Sequence, residues 1–301
     1  MSRSIEQIPV LEIGGTHVTA ALIAIGQKAP FVVEQYRSQL NAHAPATELV
    51  TVLAATAAKL KVTASLPWGV AVPGPFNYER GIGRFENVGK FDGLNGFDLG
   101  SALSESILPR PLSVRFLNDA DAFGMGECAA GAGRGHERAL CLTLGTGVGS
   151  AFIDHGVPVN EGPEVPPHGS AHLITWRGRP LEETVSRRAI RGRYRQLTGK
   201  ALDVHEIAQL ARLGEAEATS VIDASMLALG DAVAPWAVSF KASVVVVGGS
   251  ISGSWDILER PFRAGLIGAC PELSQMALRL AELPEDAPLI GAAASAMPVG
   301  Q

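Results

Sequence analysis

Two short glycine-bearing turns hold the residues best suited to chemistry. In Gly14-Gly15-Thr16, and again in Gly145-Thr146-Gly147, an apolar strand runs into the turn and a second apolar strand leaves it. Glycines let backbone N–H groups approach an anion, and the threonine adds a hydroxyl donor. Each turn reads as a phosphate-binding hairpin, and each alone also reads as an ordinary tight turn. Its recurrence favours a duplicated fold with one copy per lobe and nucleotide phosphates held between the lobes. A carboxylate lies between the two turns. Val114–Asn118 reads as a strand ending in Asn118-Asp119, followed by a small-residue helix reaching Ala130. An Asp at a strand end facing a cleft is a natural general base. Either residue also serves simply to cap the helix, and the two roles are compatible.

Further stretches accompany these. Trp68–Pro75 is a buried strand ending in Pro73-Gly74-Pro75, a rigid turn that either lines a cleft or merely exits the strand. In the polar loop Arg84–Phe91, Asn87 is a candidate hydrogen-bonding partner for a hydroxylated ligand. Ala242–Ser252 is a largely apolar strand ending in Gly248-Gly249. Burial on both faces implies a central, parallel position, and the glycines admit a flat adenine or a ribose. His168 and His172 sit four apart in a Pro/Gly loop. Without a Cys or carboxylate cluster nearby, they read as ligand or surface histidines rather than metal ligands.

Several elements must position these groups. Ala46–Lys61 has the apolar spacing of an amphipathic helix through Leu49, Val52, Leu53, Ala57 and Leu60. Leu99–Leu108 reads as a short helix, and Arg179–Arg188 opens a charged one whose acidic first turn suits the helix dipole. Residues 203–239 read as core helices with Trp236 as packing, and Pro288–Met297 as a small-residue helix suited to close contact.

Composition bounds the alternatives. The 301 residues are 47% hydrophobic and 18% charged, enough for a large core and two lobes. A net charge of −5 argues against non-specific binding to nucleic acid or an anionic membrane. No apolar run reaches the ~18 residues of a membrane span, and no signal-peptide core opens the chain, so a cytoplasmic location is expected. Cys128, Cys141 and Cys270 are isolated, so neither a disulfide framework nor a cysteine zinc site is indicated. The P-loop motif, the Gly-x-Gly-x-x-Gly dinucleotide turn and the Gly-x-Ser-x-Gly elbow are absent.

Taken in order, the Gly-Gly-Thr hairpin, Val-Pro-Gly-Pro turn, Asn-Asp-Ala-x-Ala helix, Leu-Thr-Leu-Gly-Thr-Gly-Val-Gly hairpin, Val-Gly-Gly strand end and terminal Gly-Ala-Ala helix resemble the ROK family of sugar kinases and repressors, from about residue 9 to residue 297. The resemblance implies an α/β, two-lobed, actin-like ATPase fold, a duplicated ribonuclease H-like architecture with an interlobe cleft. The expected small lobe is 1–117 plus 287–301 and the large lobe 118–286. With the first hairpin starting at residue 10, no room is expected for the repressors' helix-turn-helix domain, so the kinase branch is favoured. Gly14, Gly15, Thr16, Gly145, Thr146 and Gly147 would cradle ATP phosphates, and Gly248 and Gly249 would sit at the adenosine. Gly74, Asn87, Asn118, Asp119, His172 and Glu182 would bind the sugar, with Asp119 the catalytic base.

Three departures from the family pattern refine the expectation. Glu12 stands where the family has Asp, so it would serve Mg²⁺, directly or through water, from one methylene further out. The family's Glu-x-Gly-His is Gly169-Ser170-Ala171-His172, without the sugar-contacting Glu. The cysteine-rich zinc loop is replaced by Thr175–Leu181, so no structural zinc is expected. The expected activity is ATP-dependent phosphorylation of a hexose or amino-hexose at O6, glucokinase-like or similar to kanosamine kinase. The expected partners are a small-molecule sugar and a second copy in a homodimer, with no nucleic acid and no membrane. A catalytically inactive sugar sensor is the alternative. A polyphosphate-dependent kinase is a third reading, served only by the arginines of 187–195, which read equally as a solvated helix face.

Overall fold

The computed structural model describes residues 6–26 and 28–297. The chain divides into two compact units, one of residues up to Gly131 together with Glu285 onward, the other Ala132–Pro284.

The first unit is built on a five-stranded sheet. Its strands are β1 (Glu6–Ile13), β2 (His17–Ile25), β3 (Phe31–Gln39), β4 (Pro67–Val72) and, beyond the small ribbon of β5 (Phe76–Asn77) and β6 (Ile82–Gly83), β7 (Ser113–Asn118). The order is β3-β2-β1-β4-β7. The first three strands are antiparallel, with Val10 opposite Ala21, and the last three are parallel, with Val10 opposite Gly69. Trp68–Val72 is buried throughout, as a strand covered on both faces must be. The helices are α1 (Ala46–Ala57), α2 (Leu99–Ser106), α3 (Asp119–Ala130) and α9 (Ala287–Ala296). Small residues let α9 approach its neighbours at backbone distance. A Cβ on Gly69 would strike the Ala292 carbonyl, one on Gly126 the Ala287 carbonyl, and one on Gly291 the Ala122 carbonyl. The expected boundary at 117/118 is corrected by this packing: α3 is held by α9 and belongs to the first unit, which it closes at Gly131.

The second unit repeats the plan. Its sheet contains β8 (Arg138–Leu144), β9 (Val148–Asp154), β10 (Val157–Pro158), β13 (Val244–Gly248) and β14 (Ala277–Leu280) in the order β10-β9-β8-β13-β14. Again three antiparallel strands lead into parallel ones. A separate ribbon pairs β11 (Thr175–Trp176) with β12 (Arg179–Pro180). The helices are α4 (Glu182–Val185), α5 (Arg187–Thr198), α6 (Val204–Arg212), α7 (Ala216–Ser239) and α8 (Trp255–Ala269). A capping box of Asp203 and Glu206 starts α6. Gly230 and Gly265 let α7 and α8 pack at backbone distance. By length and composition α7 is apolar enough to cross a membrane, which the sequence expectation of no such run did not anticipate; most of its apolar stretch is buried in this unit's core. The arginines of α5 follow the solvated-face reading in part, since Arg187 pairs with Asp203 and Arg191 donates to the Leu202 carbonyl at 3.3 Å.

The two glycine turns therefore occupy equivalent positions. Gly14-Gly15-Thr16 joins β1 to β2, and Gly145-Thr146-Gly147 joins β8 to β9.

Candidate active site

In the first unit the site grows from the ends of β1, β4 and β7. The Gly14 N–H donates to the His17 carbonyl at 2.9 Å and closes the turn. The Leu40 N–H donates to the Thr16 carbonyl at 2.9 Å and ties the turn to the end of β3. Gly15 faces open space, where a Cβ would meet nothing within 4 Å. At the end of β7, Asn118 is the N-cap of α3, its Oδ1 accepting from the Ala120 N–H at 2.9 Å. Asp119 Oδ1 accepts from the same N–H at 2.9 Å. The capping and site readings of this pair thus coexist.

Asp119 exposes surface to solvent yet is recessed among protein atoms. That recess pushes its carboxyl above the usual range by desolvation, against the Ala120 hydrogen bond and the Lys90 ammonium, which pull it down. Glu12, half-buried near the end of β1, is pushed up to about 7, first by burial and then by the like charge of Asp119. Arg37 opposes that rise and Glu285 adds to it. Glu12 and Asp119 thus share one electrostatic field.

Gly74 lies two residues beyond the end of β4. A Cβ there would lie 3.2 Å from the Tyr78 hydroxyl and 3.8 Å from Asn118 Nδ2. Asn118 Nδ2 donates to the Tyr78 hydroxyl at 2.9 Å. Gly74, Asn118 and Asp119 are therefore gathered, with Tyr78 among them. Asn87 stands exposed in its loop with a left-handed φ of 57°, and no hydrogen bond joins it to that group among the described residues. Tyr78, Lys90, His17, Arg37 and Glu285 escaped sequence reasoning. Only His17, directly after the Gly-Gly-Thr turn, offered a local signal.

In the second unit the Gly145 N–H donates to the Gly147 carbonyl at 3.0 Å, and the Arg187 N–H donates to the Gly145 carbonyl at 2.9 Å. Thr146 is exposed at the tip. A Cβ on Gly147 would collide with Glu182 Oε1, so the Glu182 carboxylate stands against this turn. Gly248 ends β13. Gly249 has a φ of +89°, and a Cβ on it would run into the Leu144 backbone, so both its conformation and its space require glycine. These residues come together around one turn. His172 lies exposed in the single turn Ala171–Leu173. Buried Ser150 on β9 anchors that segment: its hydroxyl donates to the Gly169 carbonyl at 2.6 Å and accepts from the Ala171 N–H at 2.7 Å. Among the described residues, no group of three or more His, Cys, Asp or Glu is arranged to hold a metal ion.

A family model described as the ROK family matches residues 9–298. A glucokinase of Thermotoga maritima is 32% identical over 252 residues, covering 75% of this chain and 77% of that protein. A ROK hexokinase of Thermus thermophilus superposes with a TM-score of 0.78 at 24% identity, covering 96% of this chain and 97% of the other. A ROK family glucokinase of Streptomyces griseus, solved with glucose and AMPPNP, gives a TM-score of 0.73 at 23% identity and covers 96% of this chain and 98% of its own.

Proposed function

This chain belongs to the ROK family, and we propose that it is an ATP-dependent sugar kinase acting on a hexose or amino-hexose at O6. Its fold is the duplicated α/β fold of actin-like ATPases. The glucokinase of Thermotoga maritima supports the activity, and the glucose and AMPPNP complex of the Streptomyces griseus glucokinase supports the pairing of sugar with nucleotide. The observation that carries the reading is the Asp119 carboxylate, recessed at a strand end beside Asn118, Tyr78 and Gly74.

In this reading Asp119 orients the sugar hydroxyl and accepts its proton. A carboxylate raised above its usual range is a better base near neutral pH than an ordinary Asp of reference pKa ~3.9. Proton transfer comes late in a loose, metaphosphate-like transition state, so the carboxylate chiefly positions the nucleophile. Asn118, Gly74, Asn87, His172 and Glu182 contact the sugar. Gly14, Gly15 and Thr16, and Gly145, Thr146 and Gly147, offer N–H and O–H donors to phosphoryl oxygens that gain charge. Gly248 and Gly249 admit the adenosine.

Glu12 fits a divalent cation. It is an oxygen donor pushed up to about 7 by burial and by the like charge of Asp119, which together outweigh the opposing charge of Arg37. When bound, Mg²⁺ would neutralise phosphate charge, and Glu12 would hold it directly or through water.

The test is ADP release from Mg²⁺ATP with the purified chain against a panel of hexoses and amino-hexoses. Sugar-dependent release with at least one member is expected. No release above the sugar-free rate with any member would overturn the reading.

A further inference from the structure

His17 lies between two partners that fix its tautomer. Its Nε2 is 2.6 Å from Arg37 Nη2, and its Nδ1 is 3.2 Å from Thr16 Oγ1. A guanidinium has donors only, so Nε2 accepts. A neutral ring then carries its proton on Nδ1 and donates it to Thr16 Oγ1. The ring also lies under the turn, where a Cβ on Gly14 would stand 3.3 Å from Cε1. With one lone pair of Oγ1 occupied by His17, the Thr16 proton is turned away from the ring.

We infer that Arg37, His17 and Thr16 form a hydrogen-bond relay that aims the Thr16 hydroxyl proton outward, at a phosphoryl oxygen of a bound nucleoside triphosphate. The inference rests on the reading of Gly14-Gly15-Thr16 as a phosphate turn. His17 and Arg37 are positioning residues here, and Thr16 is the one that touches the nucleotide. An exposed threonine hydroxyl otherwise rotates freely and must be ordered when the ligand binds. The relay removes that cost before binding. Arg37 belongs to β3 and enters the relay through the antiparallel register that sets His17 at the start of β2 opposite Gln39. Burial and the Arg37 charge hold the ring below the usual histidine range, in keeping with a neutral imidazole. The charged groups that act on it are Arg37 on β3, which lowers it further, and Glu285 just ahead of α9, which raises it.

A second proton on the ring would set Nε2–H against the guanidinium and break the relay. The relay is therefore a neutral-pH arrangement, lost as the pH falls through the depressed histidine value.

The test is calorimetric titration of the full chain with Mg²⁺·AMPPNP, with thermal melting as the control for folding. His17→Ala is expected to weaken AMPPNP binding by about five- to tenfold and to leave glucose or amino-hexose binding unchanged. His17→Asn is expected to stay within about twofold of wild type, because its Nδ2 donates from near the position of Nδ1. The wild-type affinity is expected to fall, as the pH drops below the ordinary histidine range, more steeply than that of His17→Asn. Equal weakening by Ala and Asn, or no weakening by Ala, would overturn the relay while leaving the phosphate turn intact. No AMPPNP binding by the wild-type chain would overturn the phosphate-turn reading, and the relay with it.

Discussion

The Asn118 amide donates to the Tyr78 hydroxyl at 2.9 Å, and the Tyr78 hydroxyl lies 3.5 Å from the Val72 carbonyl. Because Asn118 Oδ1 is already taken by the Ala120 N–H, the amide is held from both sides. On the proposed function, its orientation is set before a sugar arrives and its second N–H is offered to the sugar. Tyr78→Phe removes one side of that hold. A lost hydrogen bond of about 1 kcal/mol corresponds to roughly a fivefold change in equilibrium. The expected result is a several-fold rise in KM for the sugar, with kcat and the KM for ATP little changed, read from steady-state kinetics.

Glu12 carries a pH signature. In the metal-free protein its carboxyl is pushed up to about 7, above the ordinary 4.5. Between those values the folded chain holds a proton that the unfolded chain has released. Stability therefore falls as the pH rises through that window, by roughly 3 kcal/mol. Glu12→Gln should flatten this part of the melting-temperature profile between pH 5 and 8. Mg²⁺ binding should release protons near pH 6.5, measured by calorimetry in buffers of different ionisation enthalpy.

Ser150 tests the anchoring of the His172 segment. The hydroxyl is buried and satisfies both the Gly169 carbonyl and the Ala171 N–H. Ser150→Ala strands two backbone groups, at a cost of about 2 kcal/mol. A lower melting temperature is expected, together with weaker sugar binding and unchanged AMPPNP affinity.

Gly291 tests the contact that assigns α3 to the first unit. Its missing Cβ is the space occupied by the Ala122 carbonyl. Gly291→Ala forces the helices apart and should destabilise the chain by about 1–3 kcal/mol in denaturant unfolding. Gly15→Ala is the control: a Cβ there meets nothing, so stability should hold.

Much of the fold was legible because it is written in local patterns. The apolar strand, Gly-Thr turn and apolar strand occur twice, and the two sheets repeat one order around them. The small residues of 288–297 announced a close helix contact, and α9 makes one with α3; its equally close approach to β4 was not foreseen. Asn118-Asp119 was legible as cap and candidate base at once. What escaped depends on tertiary packing that no local spacing reports. The Tyr78–Asn118 bond joins residues from different strand ends, and the Arg37–His17 contact depends on the β2–β3 register. Glu182 stands against Gly147 because α4 starts beside the second turn, a neighbour that no local spacing reports. The unit boundary was misplaced for the same reason: a strand end marks a break in pattern, whereas α3 is retained by α9, far along the chain.

On the proposed function, Asp119 takes the proton of the sugar hydroxyl. The most direct measurement compares Asp119→Asn with wild type in two assays, turnover with Mg²⁺ATP on the best sugar of the panel and calorimetric binding of that sugar. A general base contributes about 10²–10⁴-fold, so turnover should fall by at least a hundredfold while sugar affinity stays within a few-fold. Turnover within a few-fold of wild type in a folded Asp119→Asn protein would contradict the claim.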